Sequence, residues 1–153
     1  MEKELEIENG TLTYTVDGNE ATVRSCKVYG SRITVPETIE GFKVEKLDKK
    51  AFLSAKALKE LWLPGSLKEI GDFAFAYCSS LEKLWIPADG ISMGRGVFKD
   101  CYLLSAVYPV REDGSFDAQA GMLLGAVPVK LEADYLFAPK QAGTGQWLLR
   151  FDD

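Results

Sequence analysis

The feature that most narrows the fold of this chain is an internal repeat. From Leu58 the sequence runs LKELWLPGSLKEIGDFAFAYC, then from Leu81 LEKLWIPADGISMGRGVFKDC, and a shift of 23 residues lays one on the other. Leu58, Leu81 and Leu104 then align, as do Leu61, Leu84 and Val107, and Leu63 with Ile86. Pro64 falls on Pro87, Leu47 on Ile70 and Met93, and Ala51 on Ala74 and Val97. Phe52, Phe75 and Phe98 share one position, and Ala55, Cys78 and Cys101 share another that is always small. A unit this short cannot bury its own apolar face, so successive units must stack into one continuous core.

The pattern predicts one short strand per unit, Leu61-Trp62-Leu63 and then Leu84-Trp85-Ile86, with inward aliphatic residues flanking an outward one. Proline ends the strand because it cannot donate to a ladder. The Ala-Phe segment is expected to return along the opposite wall as one turn of helix or 3₁₀, with Phe filling the space between the walls. Cys78 and Cys101 then read as small buried hydrophobes, with a disulfide between stacked neighbours as the alternative. Upstream, ITVPETIEGFKVEKL fits the frame if about five residues are inserted after Pro36, which puts Ile33 and Val35 at the places of Leu61 and Leu63. The third unit is expected to be irregular, because Gly90, Gly94 and Gly96 interrupt it.

A stack of units needs covered ends. Leu12, Tyr14 and Val16 alternate with threonines, Asp17-Gly18 signals a turn, and Ala21 and Val23 alternate again, which reads as a β-hairpin. Asn9-Gly10 marks an earlier turn; Asn9-Gly10-Thr11 also matches a glycosylation sequon, but turn chemistry explains it more simply. After Val110 the period is lost. GMLLGAVPVKLEADYLFAP and GQWLLRF are apolar enough for a closing cap of strands and a short helix or turn. Tyr135 to Pro139 echoes the strand-proline pattern of a degenerate further repeat, and Gly143-Thr144-Gly145 reads as a turn and not a phosphate loop.

At LWLPGSLKEIGDFAFAYCSSLEKLWIP and VPETIEGFKVEKLDKKAF the sequence resembles the BspA-like leucine-rich repeats, a family with a unit of the same length. The resemblance covers about residues 8–109, and the stretch with Ile39, Gly41 and Val44 looks like the longer entry repeat of that family. The expected fold class is α/β: a short right-handed leucine-rich-repeat solenoid with parallel repeat strands, an N-terminal β-hairpin cap and a C-terminal mixed cap. The expected organisation is one domain over 1–153, with the first cap at 1–30, three to four repeats at 31–109 and the second cap at 110–153. The resemblance implies a bacterial protein, at the cell surface or secreted, concerned with adhesion and partner binding. The opening MEKELEIENG is acidic and lacks the apolar stretch of a signal peptide, so a cytoplasmic chain or a piece of a longer protein is the alternative.

On the repeat strands the outward positions are Thr34, Trp62, Trp85 and Tyr108, flanked by Arg32, Glu60, Lys83 and Ala106. Neighbouring parallel strands lie ~4.7–4.9 Å apart, so the three aromatics should form a ladder. The expected binding face is therefore Trp62, Trp85, Tyr108, Glu60, Lys83 and Thr34, presented to a protein or glycan. The rival reading is a structural scaffold or self-associating spacer, in which the ladder stabilises the sheet or is covered by the C-terminal cap or a partner copy.

Composition removes other classes. A net charge of −5 argues against a nucleic-acid surface, which needs clustered Lys and Arg. No apolar run approaches the ~18–20 residues of a membrane span. The chain has no histidine, so the commonest general base and metal ligand is missing, and three widely spaced cysteines make neither a disulfide framework nor a zinc signature. Asp48, Asp72, Glu82, Asp89 and Asp100 are scattered, with no pair placed for glycoside hydrolysis. Neither catalysis nor any cofactor or metal is expected.

Overall fold

The computed structural model describes residues 1–87, 91–104, 106–111 and 113, together with the backbone of three later strands. It is a β-solenoid of about three turns with parallel strands. The repeat frame is directly visible in the pairing. β4 (Arg32–Thr34), β7 (Glu60–Trp62), β9 (Lys83–Pro87) and β11 (Ala106–Val110) lie side by side and parallel in one sheet, edged by the antiparallel β12 (Met122–Leu123). Leu61 pairs with Leu84 and Leu84 with Val107, the shift read from the sequence, while Ile33 pairs with Leu61, which needs the inserted residues. The insertion is a hairpin: β5 (Thr38–Ile39) turns back onto β6 (Phe42–Leu47). Its two loop residues, Glu40 and Gly41, both have positive φ, 56° and 83°, as the tightest right-twisting hairpins require.

β6, β8 (Glu69–Ile70) and β10 (Ser92–Met93) form a second parallel wall, with Leu47 beside Ile70 and Ile70 beside Met93. On its other side β6 pairs in parallel with β3 (Glu20–Val28), which continues antiparallel into β2 (Gly10–Asp17) and β1 (Lys3–Ile7). The expected β2–β3 hairpin is present, with Gly18 at φ 62° in its turn. β1 was not anticipated, because its KELEI alternates acidic and aliphatic residues too briefly to stand out.

The third wall departs from expectation. Among the described residues there is no helix, so the α/β class and the helical return of the Ala-Phe segment are both corrected. The reason lies in the hydrogen bonds. Ala74, Ala76 and Cys78 donate their N–H groups to the carbonyls of Gly71, Phe73 and Phe75, closing successive tight turns (3.2–3.3 Å). Between them Phe73, Phe75 and Tyr77 donate sideways to Arg95, Val97 and Lys99 of the next unit (2.7–3.0 Å). An α-helix directs every interior N–H to the carbonyl four residues back; here half are needed to join the units. Left-handed residues recur in register: Lys50, Phe73 and Gly96, then Ser54, Tyr77 and Asp100.

Two glycines thought to interrupt the third unit in fact obey the frame. Gly96 takes the left-handed position at φ 58°. Gly94 sits against Asp72 as Gly71 sits against Lys49, where a Cβ would collide with backbone of the preceding unit. Gly90 lies outside the described residues.

The three walls enclose one core. Phe52, Phe75 and Phe98 form an internal column with ring centres 5.6 and 5.5 Å apart. The thiols of Cys78 and Cys101 donate to the carbonyls of Phe52 and Phe75, each at 3.1 Å, and all three cysteines are free. Burial pushes the Cys78 thiol up to about 11, that of Cys26 up to about 12 and that of Cys101 up as well, so these are inert packing groups.

Beyond Val110, β13 (Asp134–Pro139) pairs antiparallel with β14 (Trp147–Asp152). Residues 135–139 are thus not a further repeat strand laid parallel on β11, which corrects that expectation. The short helix or turn expected between these segments, and the Gly143-Thr144-Gly145 turn, lie outside the described residues.

Candidate interaction surface

The outward side chains of the five-stranded sheet come together as the alternation requires. In-register parallel pairing sets Thr34 beside Trp62, Trp62 beside Trp85, and Trp85 beside Tyr108. The two indoles stack at 3.8 Å with 7° between their planes, and Trp85 stacks on Tyr108 at 5.0 Å and 23°. The indole separation is shorter than the ~4.7–4.9 Å between strands, so the rings lean into contact.

The ladder is not evenly exposed along its length. Thr34 is exposed, Trp62 and Tyr108 are half-buried, and Trp85 keeps only 6% of its surface. Both ring faces of Trp85 are covered by stacked neighbours, and it has company: Ala106 and Val110, on the same outer face, are also buried yet do not belong to the core cluster. The accessible end of the ladder is therefore the β4 side, at Thr34 and Trp62.

Charged residues line the neighbouring row. Arg32 on β4 pairs with Glu60 on β7 at 3.4 Å, and Lys83 on β9 is exposed. Across strands the row reads Arg32, Glu60, Lys83, Ala106, alternating in sign before it becomes apolar. Asn9 closes the edge: its side-chain amide donates to the Arg32 carbonyl at 3.1 Å, and Gly30 makes room for it. With φ 67° and its amide so engaged, Asn9 serves the turn, as the simpler reading of its motif had it.

Of the scattered acids, Asp89 lies outside the described residues. Asp48 forms an ion pair with Arg24 at 3.1 Å, and Asp72 accepts the N–H of Arg95 at 2.8 Å. Among the described residues no group of three His, Cys, Asp or Glu is placed to hold a metal ion. Among the described residues no helix is long and apolar enough to cross a membrane. Sequence reasoning missed the outward aromatics of the turn wall, Phe73 and Tyr77. The available signal was the glycine, Gly96, that stands one unit on from Phe73.

A family model described as a BspA type leucine rich repeat region (6 copies) matches residues 24–112, more than half of the chain. The chain belongs to the BspA-type leucine-rich repeat family. No protein of curated function matches it. Among solved structures, this BspA-type chain is similar to a leucine-rich repeat protein of T. pallidum, with 26% identity over 70% of this chain and 50% of that one and a TM-score of 0.60. A leucine-rich repeat protein of Bacteroides ovatus shares 28% identity over 67% of this chain and 28% of that one, with a TM-score of 0.57. A leucine rich cell surface protein of Faecalibacterium prausnitzii shares 25% over 67% and 29%, with a TM-score of 0.55. The BspA-type chain spans half or less of the length of these relatives. Membership of this surface-protein family points to a binding or surface module.

Proposed function

We propose that this chain is a non-catalytic binding module that engages a protein or glycan on the outer face of its repeat sheet, at the β4 end. The supporting observation is the stacked Trp62–Trp85 pair, which fixes a half-buried indole beside exposed Thr34 and the Arg32–Glu60 ion pair. A ring locked by stacking loses little freedom when it grips a sugar or a side chain, which is why rigid aromatics dominate binding hot spots. Thr34, Glu60 and Lys83 supply polar contacts at its rim, while Trp85 and Tyr108 act as the support. In this reading the coil is right-handed, as parallel crossovers almost always are. β1–β3 close its first end, and the protein works at the bacterial surface.

The test is a panel of glycans and purified surface proteins measured against the chain and two variants, Trp62→Ala and Thr34→Arg. Loss of binding in both, with each variant still folded at the temperature of the assay, supports the reading; a ligand that ignores both variants overturns it. The cover over Trp85, Ala106 and Val110 favours a second use of the ladder, as the structural seam of a scaffold. Under that use Trp62→Ala lowers stability and no ligand is found, or sedimentation shows a dimer that Thr34→Arg dissociates.

A further inference from the structure

We propose that the turn-built wall carries a separate site for a carboxylate-bearing polysaccharide, centred on Tyr77 between Lys56 and Lys99. It lies on a different wall from the aromatic ladder and uses none of its residues.

The backbone of this wall has no free edge in its second unit. Alternate N–H groups close tight turns or join the next unit. A partner cannot add a strand there and must be held by side chains. Phe73 and Tyr77 stand in the second unit at left-handed positions, where Gly96 in the third unit is the comfortable residue. That φ recurs at Lys50, Ser54 and Asp100 and belongs to the repeat; what sets the second unit apart is that it presents two aromatic rings there. Tyr77 is 36% exposed, next in its row to Ser54 and Asp100. The Lys56 ammonium donates to its carbonyl at 3.0 Å, and the Lys99 ammonium stands 6.0 Å from its ring centre.

Charge names the partner. Segments 49–56, 72–79 and 95–102 hold five basic residues (Lys49, Lys50, Lys56, Arg95, Lys99) against two acidic ones, in a chain whose net charge is −5. One of those acids, Asp72, already accepts the Arg95 N–H. A wall of opposite sign to its own protein attracts an anion. Lysines are mobile point charges without the bidentate fork that selects a fixed carboxylate geometry, which suits a repeating polymer. The apolar face of a sugar ring stacks on the Tyr77 ring while its carboxylate meets Lys56 or Lys99.

The experiment is calorimetric titration of the full chain with oligogalacturonate, with neutral dextran oligosaccharide and polyglutamate as comparisons. Oligogalacturonate should bind, dextran should not, and raised salt should weaken the complex because the charges lie at the surface. Lys56→Gln with Lys99→Gln, and separately Tyr77→Gly, should each weaken binding about tenfold. Glycine adopts the φ of 63° at this position freely, so Tyr77→Gly removes the ring and keeps the fold. Trp62→Ala should leave this binding unchanged. Absence of binding at low salt, polyglutamate binding as tightly as the uronate, or indifference to Tyr77→Gly overturns the proposal.

Discussion

Two aromatic columns run along this molecule, one inside and one outside, and they are built to different rules. The inner column, Phe52, Phe75 and Phe98, is sealed along its length, and its rings sit 5.5–5.6 Å apart at tilts of 20° and 37°. The outer column, Trp62, Trp85 and Tyr108, closes to 3.8 Å and near-parallel at its tryptophan pair, and its exposure varies from rung to rung. Inside, each ring is positioned by three walls and need not lie flat on its neighbour. Outside, the neighbouring rungs supply the contact, so the rings lean together. The inner column begins with the first unit, whereas the outer one begins with the second, over Thr34. A solenoid thus uses the same period to fix a core and to vary a surface.

The difference is broken most directly by truncation. Phe75→Ala should cost ~3–5 kcal/mol, because a ring with no exposure leaves a cavity that three hydrogen-bonded walls cannot collapse around. Chemical denaturation should show this as a lower midpoint at unchanged slope. Gly71→Ala should come next, at roughly 1–3 kcal/mol, as overpacking. A Cβ there would stand 2.8 Å from the Lys49 Cα and 2.9 Å from the Asp48 carbonyl carbon, and both are backbone atoms rather than the end of a flexible side chain. If Phe75→Ala costs no more than the outer truncations that follow, the inner column is not the seat of stability.

On the outer column Trp85→Ala should cost more than Trp62→Ala, since Trp85 is almost wholly buried between Trp62 and Tyr108 whereas Trp62 is half-buried. A stacked pair contributes about 0.5–1.5 kcal/mol beyond its burial. The ordering is checked by melting both variants side by side, with near-ultraviolet circular dichroism to read the loss of indole coupling. Equal costs would mean that the cover over Trp85, Ala106 and Val110 contributes nothing.

The inner column was readable because burial imposes the same residue in every unit: three phenylalanines at one spacing admit little else. The outer ladder was readable as a row, because in-register parallel strands stack equal positions. Its uneven burial was not, since how far an outward residue is covered depends on more than its place in the repeat. The turn wall was misread for a different reason. Its Ala-Phe runs have ordinary helix formers, and what forbids the helix is the demand of the next unit for every second N–H group, a tertiary constraint no local window contains. Gly94 and Gly96 looked like interruptions because a glycine marks a tight approach or a left-handed turn only once the neighbour it faces is known.

The smallest expected effect lies outside both columns and serves as their control. At the tip of the β5–β6 hairpin, Glu40 accepts a hydrogen bond from the Tyr14 hydroxyl at 2.7 Å and another from the Lys3 ammonium at 3.0 Å. These two donors hold its carboxyl below the usual carboxylate range, the tyrosine contributing most. A depressed carboxyl adds stability that is present above its ordinary value and is lost as pH falls through the folded one. The same contact raises Lys3 and Tyr14, so a second loss is expected as pH rises beyond the ordinary range of those groups. Neither column carries a group that titrates in acid. Glu40→Gln should therefore flatten the acid limb of stability against pH by a small amount, and the limb should look alike in Trp62→Ala and in the native chain. A limb that changes in Trp62→Ala would mean that the outer ladder is coupled to charged groups, and the two columns would then differ in chemistry as well as in packing.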